Sequence, residues 1–218
     1  MAGILFAQGV KRVKIITISR EFGSGGRELG KRIADVLHMD YYDSEIITAV
    51  AENSGLDRGY VAKTLGEHGW QSYPITFRNT LASAGGMQSD KIQLLLLQKR
   101  VLEEIAALGK DCVIVGRNAD MILQQYEPFR IFVCAEREAK LKRCRERAPE
   151  GENLTDKELL RRMKQIDKAR AKTRELLSGE TWGQRDAYHL TVNTTDWEIK
   201  ELAEAVSELA LRWFGRVK

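Results

Sequence analysis

Cysteine is scarce in this chain of 218 residues: Cys112, Cys134 and Cys144 are widely spaced and form no C-x-x-C pair. Such a set offers no disulfide framework, and an odd, unpaired count suits a reducing, cytoplasmic compartment. Cys112 and Cys134 lie inside apolar runs, where buried thiols are common. Histidine is as rare, and the three present show no metal-ligand spacing. No Ser–His–Asp or Cys–His constellation is visible. No apolar run approaches the roughly 20 residues that span a bilayer. Residues 1–12, MAGILFAQGVKR, are briefly apolar but lack a preceding basic region and a cleavage site, so they read as a leader or overhang and not as a signal peptide. A bulk excess of one charge is missing too: 35 basic against 31 acidic residues gives a formal net charge of +4. That balance argues against nucleic acid or membrane as general partners, while local basic clusters can still grip a few phosphates.

What remains is an ordinary globular composition, 43% hydrophobic and 30% charged, long enough to bury a core as one domain over residues 13–218. Val13 to Ile18 is a β-branched run without polar alternation, which suits a strand covered on both faces. Leu29, Ile33, Val36 and Leu37 then repeat at helical spacing, predicting a helix that begins near Arg27 or Glu28. Met39 to Asp43 reads as a second strand ending in an acid. From Gly66 to Asp90 the pattern dissolves, and a loose stretch of that length inside a compact domain points to function. Periodicity returns with Ile92, Leu95, Leu96, Val101, Leu102 and Ile105, and Gly109 supplies a helix stop. Cys112–Val115 and Phe129–Ala135 read as strands, the second followed by a basic helix. Thr155 with Glu158 forms a capping box that opens a long polar helix. Ala187–Thr194 reads as a last strand. Thr195 with Glu198 reads as a second capping box, opening a helix with Leu202, Val206, Leu209 and Trp213 on one face. Strands alternating with helices imply crossovers and a parallel sheet, hence an α/β class.

The stretch SREFGSGGRELGKR, from Ser19 to Arg32, follows the first strand and enters the first helix. Backbone N–H groups and the helix dipole favour anions at that position in an open α/β sheet. Two motifs compete. The dinucleotide fingerprint G-x-G-x-x-G is met by Gly23 and Gly25 but fails at Glu28, although Asp43 lies about twenty residues on, where it wants an acid. The P-loop pattern G-x-x-x-x-G-K-[ST] is met literally at Gly25, Gly30 and Lys31 and fails at Arg32, in a register that starts too far from the strand. An earlier register makes Arg20 to Gly25 the loop, with Gly26 where the lysine belongs and Arg27 at or beside the hydroxyl position. Gly26 then cradles phosphate through its amide, and Arg27 or Lys31 supplies the cation.

Several ordered segments carry a resemblance. ITISREFGSGGRELGKRIADVL followed by YYDSEII, then CVIVGRNAD, IFVCAERE, DKAR and TWGQRDAYHLTVNT, resemble the cytidylate kinase-like family, a branch of the P-loop nucleoside monophosphate kinases. The resemblance runs from Val13 to the C-terminal helix. It implies a three-layer P-loop kinase fold: a five-stranded parallel sheet, helices on both faces, a mobile acceptor-binding region at about 44–90 and a lid at about 148–185. It implies Mg2+ and ATP as donor and a pyrimidine monophosphate, CMP or dCMP, as acceptor. By the same resemblance Gly23, Ser24, Gly25, Gly26 and Arg27 hold the ATP phosphates. Asp43 and Ser44 face the acceptor, Arg78 is a phosphate contact, and Arg117 grips the acceptor phosphate. Asp167 and Arg170 match a D-x-x-R element of the lid helix. The departures are the missing lysine, no Ser or Thr for magnesium, Asn118 for an aspartate, and Gln184 after Trp182–Gly183 for an acid. The magnesium ligands stay undetermined.

Phosphoryl transfer needs positioning and cations, not a covalent constellation. Between Arg161 and Arg174 seven basic residues face one acid, Asp167. Arg162 and Arg170 are the expected catalytic lid arginines alongside Arg27; the other lid cations read as a solvated face. Arg170, arriving with lid closure, is expected to matter for turnover and not for melting temperature. Trp182 is expected to pack the lid's base. The readings left open are the same fold acting on another small acceptor, a nucleotide-binding module with little turnover, and a dinucleotide-binding protein.

Overall fold

The computed structural model describes residues 13–43, 88–148 and 154–216. Five strands, β1 (Ile15–Arg20), β2 (Asp40–Asp43), β3 (Cys112–Val115), β4 (Phe129–Cys134) and β5 (Leu190–Asn193), form one sheet in the order β2-β3-β1-β4-β5. Every neighbouring pair is parallel, with Ile16 opposite Val113 on one side of β1 and Ile16 opposite Phe129 on the other. All five C-terminal strand ends therefore share one edge. The chain leaves β1 toward β2 and β3, then crosses to β4 and β5, so the two halves of the sheet diverge at β1.

The helices are α1 (Gly26–Leu37), α2 (Gln88–Ala107), α3 (Ala119–Ile122), α4 (Arg137–Glu146), α5 (Asp156–Ser178) and α6 (Ile199–Arg216). Two cores explain why the strands lack polar alternation. Ile16 and Ile18 of β1, Val113 and Val115 of β3, and Ile131 and Val133 of β4 pack against Leu29 and Ile33 of α1 and Leu202, Val206 and Ala210 of α6. Ile15, Cys112 and Ile114 point to the opposite face, against Val101, Leu102 and Ile105 of α2. Both faces of the central strands β1 and β3 are thus dry, as a parallel sheet requires, while edge strand β5 keeps Thr191 and Asn193 exposed. A third cluster, Phe22, Cys144, Leu159, Met163 and Ile166, joins the glycine loop to α4 and α5.

Helix α1 starts at Gly26, one residue ahead of the sequence-based expectation, because the loop turns into it at Gly25 in the left-handed region. Thr155 caps α5 with both bonds of the capping box. The second expected box does not form. Thr195 Oγ1 instead accepts the amide of Glu136 at 2.8 Å and donates to Asn193 Oδ1, and α6 opens only at Ile199. Leu209 turns outward and Ala210 takes its place in the core. No helix among the described residues is long and apolar enough to cross a membrane.

The lid helix is not solvated along its length. Arg174 is fully buried: it donates to Asp120 Oδ2 of α3 at 2.5 Å and to Glu180 at 2.8 Å, and its guanidinium lies 5.2 Å from the Tyr188 ring centroid. An enclosed cation holds a helix in place only while its carboxylate is present. Asp120→Ala is therefore expected to lose about 3 kcal/mol of stability, a Tm drop of roughly 6–12 °C for a chain this size. A thermal melt checks this, and a loss under about 2 °C would show that Glu180 alone satisfies Arg174.

Candidate functional site

The glycine loop at the end of β1 is fixed by four other elements. The Glu21 amide donates to Val133 O of β4 at 2.9 Å, and Glu21 Oε2 accepts Lys140 Nζ of α4 at 2.8 Å. Phe22 sinks its ring into the third core while its amide donates to Asp167 Oδ1 of α5 at 2.8 Å. The carbonyl of buried Ser24 accepts Thr194 Oγ1, just past β5, at 2.6 Å. Thr194 is in turn held by Arg143 of α4, whose guanidinium donates to Thr194 Oγ1 at 2.9 Å and to the Thr194 carbonyl. Gly23 (φ +77°) and Gly25 (φ +79°) adopt the left-handed conformation that glycine tolerates without penalty. Among the described residues no acceptor faces the amides of Gly23 and Gly25. Gly26, the first residue of α1, has no intrahelical acceptor either. The result is a rigid concavity of N–H groups at a helix start, the backbone chemistry that binds phosphate.

Around this concavity the strand ends deliver charge. Arg27, on the first turn of α1, is ion-paired with Asp43, the last residue of β2. Asp43 is buried, and the hydroxyl of Tyr41 donates to the Arg27 carbonyl at 3.3 Å. Arg170 of α5 donates through Nη1 to Asp167 Oδ1 and to the Arg20 carbonyl, both at 3.0 Å, and its guanidinium lies 5.9 Å from the Phe22 ring centroid. Burial lowers the pKa of Arg170, with Asp167 opposing and Arg117 adding to the effect. Burial raises the carboxyl of Asp167, and Arg170 pulls it back down. After β3, Gly116, Arg117 and Asn118 are all left-handed, with φ of +92°, +55° and +51°. Such a turn of non-glycine residues stores strain and is characteristic of functional loops. It sets Arg117 at the strand-end edge.

Of the residues expected from sequence, Gly23, Ser24, Gly25, Gly26, Arg27, Asp43, Arg117, Asp167 and Arg170 converge on this edge. Ser24 turns its hydroxyl back to the Glu21 carbonyl at 2.9 Å, so the loop offers its backbone there. Lys31 lies farther along α1, with its ammonium paired to Asp35. Arg162 is half-buried on α5, near enough to the Cys144 thiol to lower that group's pKa against the upward pull of burial. Ser44 and Arg78 lie outside the described residues. Trp182 packs edge-on against Phe132 with centroids 5.3 Å apart, a packing role at the base of the lid region. Gln184 bonds the neighbouring Asp186 at 3.2 Å. Sequence reading did not single out Arg20, the Arg143–Thr194 brace or the Arg174–Asp120 pair. Each joins residues remote in sequence, and only the missing lysine at Gly26 hinted that another cation had to enter.

The model of the cytidylate kinase-like family matches residues 15–196, most of the chain. The chain belongs to that family. Solved structures agree on the fold. A protein from Eubacterium ventriosum superposes with a TM-score of 0.66 at 22% identity, over 90% of this chain and 98% of that one. Shikimate kinase from Acinetobacter baumannii, in complex with shikimate, gives a TM-score of 0.50 at 15% identity over 94% and 96%. Shikimate kinase from Bacteroides thetaiotaomicron gives 0.50 at 17% identity over 90% and 97%. Identities this low show the fold alone, that of the P-loop kinases. No curated protein sequence matches significantly.

In this cytidylate kinase-like protein Arg170 already braces the residue that precedes the glycine loop, where the sequence leads one to expect an arginine arriving only on closure. Arg170→Ala removes the donor to the Arg20 carbonyl and leaves Asp167 with the Phe22 amide but without its cation, a loss of about 1–3 kcal/mol or roughly 2–12 °C in Tm. Asp167→Ala and the double variant are expected to melt within about 2 °C of Arg170→Ala, because partners in one network are not additive. Three thermal melts check this, and additive losses would uncouple the pair.

Proposed function

We infer that this protein transfers the γ-phosphoryl group of ATP to a pyrimidine nucleoside monophosphate, CMP or dCMP. One observation carries the reading: a loop with free glycine amides meets arginines from α1, β3 and α5 and the acid of β2 at one strand edge, in a chain of the cytidylate kinase-like family. The amides of Gly23, Gly25 and Gly26 would hold the donor phosphates. Arg117, on its strained turn, would hold the acceptor phosphate, and Asp43 would orient the acceptor once Arg27 turns to phosphate. An acceptor phosphate oxygen then forms a bond to the γ-phosphorus as the bond to the ADP oxygen breaks. The protein contributes alignment and stabilises the charge on the equatorial oxygens.

Magnesium would supply further neutralisation of the phosphates. The donor set for it is thin, because Arg27 stands at or beside the position where a hydroxyl residue is usual. Asp43 is the buried carboxylate of this edge that fits such an ion, and its release from Arg27 by incoming phosphate is compatible with the geometry. Lys31 and Arg162, both expected at the phosphates, carry less of this reading than Arg27 and Arg170 do.

A second reading, the same transfer to another small acceptor, is favoured by Asn118 and Gln184, each uncharged where the family resemblance leads one to expect an acid. ADP release from magnesium-ATP with a panel of nucleoside monophosphates and small hydroxyl acceptors separates the two. A response to CMP or dCMP is expected. Silence across the monophosphates, with ATP still bound, would shift the assignment to the second reading or to a binding module. Within the active pair, Arg117→Ala is expected to raise the acceptor KM by roughly 10–100-fold, the value of a charge-assisted bond to phosphate, while ATP affinity stays within about threefold.

A further inference from the structure

The P-loop lysine is absent, and its place at Gly26 holds no side chain. Gly26 is not among the positive-φ residues, so its backbone does not demand glycine, and glycine weakens a helix start relative to alanine. Space explains it. A Cβ on residue 26 would stand 2.7 Å from Cβ and 3.1 Å from Cγ of Arg20, and 3.2 Å from Cβ of Val133. The Cβ of Arg20 is fixed by the backbone and cannot swing aside, although Cγ can move with χ1. Any side chain at position 20, this arginine included, therefore crowds any side chain at position 26.

The far end of Arg20 is shaped in the same way. A Cβ on Gly116 would lie 1.9 Å from Nη1 and 2.9 Å from Cζ of Arg20. Two glycines, one at the start of α1 and one after β3, thus flank the stem and the head of a single arginine. That arginine ends β1, directly before the amide-lined loop, and its own carbonyl is held by Arg170. Asp43, Tyr41, Arg27 and Arg170 all lie within electrostatic reach. Burial, with Arg170 adding to it, pushes the Arg20 pKa down to about 9, so the group stays charged at neutral pH but is held in a setting that disfavours its charge. An entering anion favours the charged form and so offsets both effects. Four guanidiniums, of Arg20, Arg27, Arg117 and Arg170, share this edge with the carboxylates of Asp43 and Asp167 and with Glu21, which is paired to Lys140.

We propose that Arg20 serves in place of the P-loop lysine, reaching the transferring phosphate from the end of β1 and not from the start of α1. This rests on the transfer reading above. Arg20 keeps its proton throughout. Its planar fork meets two phosphate oxygens at once, where a lysine would offer a point charge, while the acceptor–phosphorus bond forms and the bond to ADP breaks.

The experiment compares wild type, Arg20→Met, Gly26→Lys and the double variant Arg20→Gly/Gly26→Lys. Turnover is read by ADP release, magnesium-ATP affinity by calorimetry and folding by thermal melt. Arg20→Met is expected to lose at least roughly 100-fold in turnover, within the range for a phosphate-stabilising arginine. Its Tm should stay within roughly 6 °C of wild type, since the unbranched methionine keeps most of the stem's packing. Gly26→Lys alone should lose both activity and Tm through the clash. The double variant restores the lysine and removes the two closest contacts, leaving Val133 Cβ at 3.2 Å to give by a few tenths of an ångström, so it should regain at least about tenfold in turnover over Arg20→Met. Arg20→Met turnover within about threefold of wild type would overturn the assignment. So would a folded double variant no more active than Arg20→Met, the behaviour of an arginine that only supports structure. Wild type that binds no magnesium-ATP and releases no ADP would remove the transfer reading and this assignment together, an outcome distinct from an active wild type with an unaffected Arg20→Met.

Discussion

Everything at the site depends on how the last residues of β1 are pinned. The Arg20 carbonyl is held from α5, the Glu21 amide from β4, the Phe22 amide from α5 again, and the Ser24 carbonyl from the residue after β5. These bonds use up some polar groups of the loop and hold its backbone in place. A loop held in this way is organised before any ligand arrives, so little reorganisation remains to be done on binding. Phe22 adds to the hydrogen bonds, because its ring is part of an apolar cluster with α4 and α5 and cannot leave without exposing that cluster.

The arrangement concentrates like charge. Arg20, Arg27, Arg117 and Arg170 crowd one edge, and burial disfavours the charged form of Arg20 and Arg170. The left-handed turn at Gly116, Arg117 and Asn118 adds backbone strain on the order of 1–3 kcal/mol for each non-glycine residue. The hydrophobic cores on both sheet faces offset these costs. Helix α5 is anchored twice, through Asp167 and Arg170 to the loop and through Arg174 to α3. In this structure its C-terminal half is part of the scaffold of the glycine loop.

Local pattern foretold much of this. The apolar runs around Ile16, Val113 and Ile131 became strands, and the order of strands and helices led to a parallel sheet. The Thr155–Glu158 box formed because both its partners lie within one turn. The parallel reading of Thr195 and Glu198 failed because Thr195 had a nonlocal partner, the Glu136 amide arriving from β4. Leu209 failed for a similar reason: α6 packs on α1 through the Ala210 side, and a helix's contact face is set by its neighbour as well as by its own period.

The amino-acid sequence by itself determined the secondary structure, the position of the glycine loop after the first strand and the family to which the chain belongs, since all three rest on local periodicity and ordered motifs. The tertiary structure alone decided which side chains serve the loop. Phe22 and Asp167 are 145 residues apart, and Ser24 and Thr194 are 170 apart. Arg20 and Gly116 meet only because β1 and β3 pair in parallel, with Ile18 opposite Val115. No spacing rule within one segment encodes such meetings: a crossover fold brings together the ends of strands whose separation along the chain is arbitrary.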